Sequence, residues 1–260
     1  GDQICIQDDI LYILRSRLED EEYRVYLGPL GSGDKKEAFL NIFEDAKRHG
    51  KKPRFLTLTK TYADQLEEFF PGRFLIEEHP DLNEYVYYTS IMAEFPGKEL
   101  RKRRMEAKRF WKLYGEHAAI ARIEEKDFTD MLAYEQAWIN QNMETHDMEA
   151  LQREARMIGK QLEHFNELHL SGVIIRYDGE VRGFSYGTKL SDEYYDAIAE
   201  KGDRELEHIY KVLRKESVKQ CALECTYVNL EEDVGVPGLR ALKMAYQPEF
   251  MIHNYIATER

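Results

Sequence analysis

Apolar residues recur with two periods along this chain, and the change from one to the other marks out its elements. Ile4 to Leu14 reads as strand material with a polar turn at Gln7–Asp9, and Tyr23 to Leu27 alternates well enough for another strand. The stripe Phe39, Ile42, Phe43, Ala46 has helical spacing. It predicts a helix from Lys35 to about His49, with Asp34 placed to cap it and Gly50 to stop it. Pro53 opens a strand over Arg54–Leu58, a helix from Tyr62 to Phe70 ends at Pro71-Gly72, and Arg73–Glu77 and Glu84–Thr89 read as strands.

From Leu100 to Tyr114 the pattern is amphipathic: Leu100, Ala107, Trp111 and Tyr114 fall on one face, while Arg101, Lys108 and Lys112 line another. After Gly115 the order of elements repeats. A strand Ala118–Ile123 leads to a helix near Lys126–Gln141. A long helix then runs from Asp147 to about Leu168, with the stripe Leu151, Ala155, Ile158, Leu162, Phe165. Val173–Tyr177 and Val181–Thr188 flank Asp178-Gly179, a hairpin signal. The remaining elements are a strand Tyr194–Ala199, a helix Arg204–Gln220, a strand Cys225–Leu230, a short helix Pro237–Tyr246 and a last strand Phe250–Ile256. The expected fold is α/β (α+β): two similar domains in tandem, residues 1–97 and 116–260, joined by the basic helix of residues 98–115.

Composition and charge narrow the functional classes. The 260 residues are 43% hydrophobic, with seventeen Tyr and twelve Phe, enough for packed cores. No apolar run approaches the length of a membrane span, and no N-terminal segment reads as a signal peptide. The net charge of −12 has the wrong sign for a chain that coats nucleic acid over its whole surface. Yet residues 98–112 concentrate Lys98, Arg101, Lys102, Arg103, Arg104, Lys108, Arg109 and Lys112 against Glu99 and Glu106. One local anion surface is open to this chain; a global one is not. Cys5, Cys221 and Cys225 make neither a disulfide framework nor a zinc pattern, and the histidines show no metal spacing. We expect reduced, buried cysteines, a cytoplasmic setting and no metal.

Three stretches resemble a known family: Tyr85-Val-Tyr-Tyr-Thr-Ser, continued by Phe95-Pro-Gly-Lys98 and Arg103-Arg104; Gly183-Phe-Ser-Tyr-Gly187; and the block from Asn229 to Pro248, with Glu231-Glu-Asp233, Gly238-Leu-Arg240, Lys243 and Tyr246-Gln-Pro248. Together they resemble a bacterial family grouped with the C-terminal synthase domain of phosphatidylglycerol lysyltransferases. The likeness extends over most of the chain from about Ile10. It implies two GNAT-like acyltransferase domains in tandem and transfer of an acyl or aminoacyl group, with aminoacyl-tRNA as the donor in characterised relatives. Those relatives carry a multi-span membrane domain, and no apolar run of that kind stands in this sequence. The chain departs from the family where Ala245 and Gln247 replace a Ser and a Lys.

Candidate sites follow. Arg240 and Lys243, three apart on one helix face, are expected to hold a phosphate or polarise a developing oxyanion and are the catalytic candidates. Asn229, Glu232 and Asp233 beside them suit the ammonium of an aminoacyl group. Acids before a helix whose first turn holds Pro237 also serve as ordinary helix-entry chemistry. Arg103, Arg104 and Lys108 on the basic helix are candidates for tRNA or another anionic substrate; a solvated face is the alternative. Gly28, Gly31 and Gly33 lie between a strand and a helix, where backbone amides cradle phosphates. Asp34-Lys35 after the last glycine excludes a Walker A loop, and Lys36 stands where a dinucleotide fingerprint needs its third glycine. An acyl-CoA loop and an ordinary turn stay open there. The leading reading is an acyl or aminoacyltransferase acting on an amine or hydroxyl. The alternatives are a binding module that kept the fold and lost the chemistry, or a CoA-dependent N-acetyltransferase.

Overall fold

The computed structural model describes residues 2–142 and 148–260. They form two compact units: Gly1–Glu84 with Glu232–Ala241 and Met251–Arg260, and Tyr85–Glu231 with Leu242–Phe250.

The first unit begins with a hairpin, β1 (Gln3–Gln7) and β2 (Ile10–Leu14), in the register Gln3↔Leu14. Asp8 and Asp9 turn it with positive φ, which their short polar side chains tolerate. Then come β3 (Tyr23–Leu27), β4 (Leu30–Gly31), α1 (Lys35–Arg48), β5 (Lys52–Thr59), α2 (Lys60–Phe69) and β6 (Phe74–Glu78). The sheet order is β1, β2, β3, β5, the chain's last strand Asn254–Glu259, then β6, with β4 beside β2. Among the described residues β3 and β5, bridged by the crossover helix α1, run parallel, and the other ladders of this sheet run antiparallel. Asp34 caps α1 by accepting the Glu37 amide at 3.0 Å. The expected stripe Phe39, Ile42, Phe43, Ala46 is buried against Phe55, Leu58, Leu66 and Phe74.

The second unit holds β7 (Glu84–Tyr88), α3 (Thr89–Glu94), α4 (Arg101–Tyr114), β8 (Ala118–Arg122), α5 (Phe128–Asn142), α6 (Met148–Glu163), β9 (Leu170–Tyr177), β10 (Glu180–Lys189), β11 (Tyr194–Gly202), α7 (Ile209–Ser217) and β12 (Tyr227–Asn229), while α8 (Pro237–Met244) and β13 (Phe250–Ile252) are divided, residues 237–241 and 251–252 belonging to the first unit. Its sheet runs β13, β7, β12, β11, β10, β9, β8. Alternation along β9 gives the two faces of the core: Val173 and Ile175 pack with Phe110 of α4 and Val212 and Leu213 of α7, while Ile174 joins Met131 of α5 and Ile158 and Leu162 of α6. At the β9–β10 turn Asp178 and Gly179 both take positive φ, as a two-residue hairpin of this type requires.

Five expectations change. The helix expected over 147–168 ends at Glu163, and Asp147 lies outside the described residues. The helix expected from Arg204 starts at Ile209. Asp203 holds the preceding turn by accepting the Glu205 amide and pairing with Arg182 at 3.2 Å. The single last strand is two strands in two sheets, β13 and β14 (Asn254–Glu259). Packing therefore does not follow the linear division into 1–97, 98–115 and 116–260: α4 lies in the second unit's core, and residues 251–260 complete the first unit. Finally, Cys5 is exposed on β1, while Cys225 is buried.

Candidate active site where two parallel strands part

Inside the second unit, β11 and β12 run parallel and pair through Tyr194–Asp196 and Tyr227–Asn229. Past that point β11 continues to Gly202 alongside β10, and the chain after Asn229 turns away. Asn229 makes the turn by accepting the Glu231 amide on Oδ1 at 2.9 Å, and Glu231 takes a φ of 57°. Tyr85 on β7 exchanges backbone hydrogen bonds with Leu230 and Glu231. The buried ammonium of Lys243 donates to the carbonyls of Leu230 at 2.6 Å and Glu231 at 3.0 Å, and its own carbonyl accepts the Tyr87 hydroxyl at 2.9 Å. Lys243 and Asn229 thus fix the path by which β12 leaves β11.

Arg240 is placed in the first unit. Its guanidinium makes a fork with Asp233, Nε to Oδ2 at 2.7 Å and Nη2 to Oδ1 at 2.8 Å, and Nη2 also reaches Asp81 at 2.7 Å. Asp233 is fully buried and accepts the Gly235 amide as well, while Glu232 beside it is half-buried. The structure brings Arg240 and Asp233 together as partners of each other.

Of the basic-helix candidates, Arg104 donates to the carbonyls of Phe95 and Gly97, and Lys108 is exposed. Arg103 turns inward. It pairs with Glu106 at 3.1 Å and stands 5.4 Å from the ring of Tyr246. Two further cations approach the same ring, Arg214 at 4.8 Å and Lys211 at 5.9 Å, and Phe95 packs on it with centroids 5.5 Å apart. Arg214 also pairs at 2.6 Å with Glu200, which lies on β11 beyond the parting. Burial raises the Tyr246 phenol above its ordinary range. Burial, then repulsion from Arg214 and Arg103, lowers the Lys211 ammonium.

Sequence reasoning named Tyr246 only within the family-like block and gave no role to Lys211, Arg214 or Glu200. A weak signal existed, since Arg214 interrupts the apolar stripe of α7 beside Leu213 and Ser217. Its partners come from β11 and from the turn after α8, which no spacing rule connects.

The glycine loop packs against its own hairpin. A Cβ at Gly31 would stand 2.0 Å from the Asp9 carbonyl oxygen, one at Gly33 2.2 Å from that of Asp8, and one at Gly28 2.9 Å from Leu58. The Ser32 amide donates to Asp9 at 3.1 Å. Close approach of the β1–β2 turn accounts for Gly31 and Gly33, and the Leu58 side chain of β5 for Gly28.

The family model for the C-terminal region of phosphatidylglycerol lysyltransferase matches residues 4–258. The chain belongs to that family. Among solved structures, it is similar to a conserved protein of unknown function from Bacteroides thetaiotaomicron VPI-5482. The identity is 26% and the TM-score 0.90, covering 100% of this chain and 86% of the other. It is similar in fold to L-PGS from Bacillus licheniformis, at 12% identity and a TM-score of 0.71, over 99% of this chain and 84% of that one. A tandem GNAT protein from the clavulanic acid biosynthesis pathway aligns with 96% of this chain and 78% of its own length, at 10% identity and a TM-score of 0.50. The chain thus has the fold of solved members of its family, a fold shared with a tandem GNAT protein. No helix among the described residues is long and apolar enough to cross a membrane.

Proposed function

We propose that the protein is a cytoplasmic transferase that moves an aminoacyl group from aminoacyl-tRNA to an amine or hydroxyl acceptor. The observation that carries this reading is the parting of β11 and β12, because a strand released from its ladder partner presents backbone groups to an extended ligand. The acceptor nitrogen or oxygen would attack the ester carbonyl carbon, the bond to the tRNA 3′ oxygen would break, and that oxygen would take up a proton. Holding both reactants in line supplies much of the rate in such chemistry. Lys243 acts in this reading by fixing the departing turn, and Arg240 by neutralising Asp233; both are positioning residues.

The test is transfer of labelled amino acid from charged tRNA to simple amine and hydroxyl acceptors, with tRNA binding measured at two salt concentrations. Label transfer, with binding that weakens steeply in salt, is expected. Acetylation and thermal stabilisation by acetyl-CoA instead would replace the donor with an acyl-CoA. A second reading, a binding module without turnover, is favoured by Ala245 and Gln247 standing where the family carries Ser and Lys. It predicts tRNA binding with no loss of the aminoacyl ester.

A further inference from the structure

We propose that Arg214, Lys211, Arg103 and the hydroxyl of Tyr246 form a binding site in the second unit for one phosphate group. The argument starts from charge. Arg214 is answered by Glu200 at 2.6 Å and Arg103 by Glu106 at 3.1 Å, while among the described residues Lys211 has no carboxylate in ion-pair range. One positive charge is left over where three cations crowd one ring.

The second observation is independent of charge. Arg214 is 9% exposed and Tyr246 wholly buried, and apart from each other Arg214 Nη1 and the Tyr246 hydroxyl have no hydrogen-bond partner among the described residues. Buried donors in folded chains are almost always paired, and the Arg214–Tyr246 contact leaves the phenol proton without an acceptor beside a surplus cation, an arrangement that suits an oxyanion. A guanidinium, an ammonium and a phenol are all donors, and an oxyanion answers all of them at once.

The donors come from α4, from α7 and from the turn after α8, converging from separate elements. Tetrahedral phosphoryl oxygens meet such a spread, whereas a carboxylate presents its oxygens in one plane. A phosphodiester carries the single negative charge that the surplus requires. The inference deepens the transferase reading by naming the donor's chemical group that this unit holds, but binding is measurable without turnover.

The experiment titrates the full chain with inorganic phosphate, with a short RNA and with acetate, at fixed ionic strength, following heat and thermal unfolding. Expected are saturable phosphate binding, tighter binding of the RNA, and none of acetate. Lys211→Met should weaken phosphate binding about tenfold or more, as loss of a charged donor does. Tyr246→Phe should weaken it several-fold while the unliganded melting temperature moves little, since Arg214 keeps its Glu200 partner at 2.6 Å. These two variants are chosen because Arg214 is too deeply packed to remove safely. Phosphate binding unchanged in both variants, or acetate binding as well as phosphate, would overturn the proposal. Phosphate binding without transfer from any donor keeps the site and removes the transferase reading; transfer that phosphate does not inhibit removes the site.

Discussion

Arg240 and Arg214 make an instructive pair. Both are arginines on short helices, both pair with carboxylates, and the sequence advertises only the first. Around Arg240 the accounts close: Asp233 and Asp81 take three of its hydrogen bonds, and Asp233 gains an amide besides. Around Arg214 they stay open, with a surplus lysine and a phenol whose proton has no acceptor among the described residues. A cation on a helix face is therefore no guide to ligand binding by itself. What distinguishes the two is whether the donors already have acceptors inside the chain.

The largest effect should come from breaking the closed cluster. Arg240→Met leaves the fully buried Asp233 without its fork, and an uncompensated buried charge costs about 3 kcal/mol, roughly 6–10 °C in melting temperature. Differential scanning calorimetry would show it; a shift below 2 °C would mean that Arg240 is dispensable to the fold and free for a ligand. Lys243→Met should follow, at about 2 kcal/mol, because the carbonyls of Leu230 and Glu231 lose a charged donor. Its check is hydrogen exchange of the turn that leaves β12, which should speed up while α1 stays protected. Uniform exchange in both regions would remove the positioning role.

The same bookkeeping explains what the sequence made legible. Helix α1 was readable to its cap because Asp34 and Glu37 are three residues apart, and the β9–β10 hairpin because Asp178-Gly179 carries its own turn chemistry. The family block was readable as a string, including Tyr246. Strand β14 was not assignable, since its register, Tyr255↔Glu78 on one side and Tyr255↔Leu58 on the other, is set by non-local pairing. The cluster on Tyr246 was illegible for that reason too: it unites α4, α7, β11 and the turn after α8, and no local period encodes their meeting.

A mirror image of the Arg214 cluster lies on the other face of the same sheet, with an anion in surplus. Glu135 on α5 is 2% exposed and neither carboxylate oxygen has a hydrogen bond among the described residues. Lys201 approaches it to 3.7 Å but is held more closely by Glu154 at 2.7 Å and lies 3.8 Å from the Trp138 ring centroid. Burial raises the Glu135 carboxyl; Lys201 opposes the shift and Glu154 adds to it. A carboxyl raised on folding binds its proton more tightly in the folded state. Its stabilising effect is complete in acid, below the unfolded value, and is lost as pH rises through the folded one. Glu135→Gln should therefore melt higher than the parent at pH 7, with the difference closing toward pH 4. A parent that is more stable than the variant at neutral pH would show Glu135 to be a necessary ionic partner of Lys201.

The smallest effect separates the two faces of α4. Arg103 points into the cluster, whereas Lys108 is exposed beside the buried Ala107. Lys108→Gln should leave the melting temperature unchanged, because nothing packs on its charge. If the outer face guides a polyanion, each phosphate contact it makes releases counterions. The variant should then flatten the dependence of log K on log salt for RNA by about 0.7–0.9 per lost contact. Lys211→Met should instead lower RNA affinity while acting strongly on inorganic phosphate, which an exposed lysine barely affects. If the two variants gave the same pattern on both ligands, α4 would carry one diffuse basic surface. A divergence would mean that a single helix steers an anion with one face and grips its phosphate with the other.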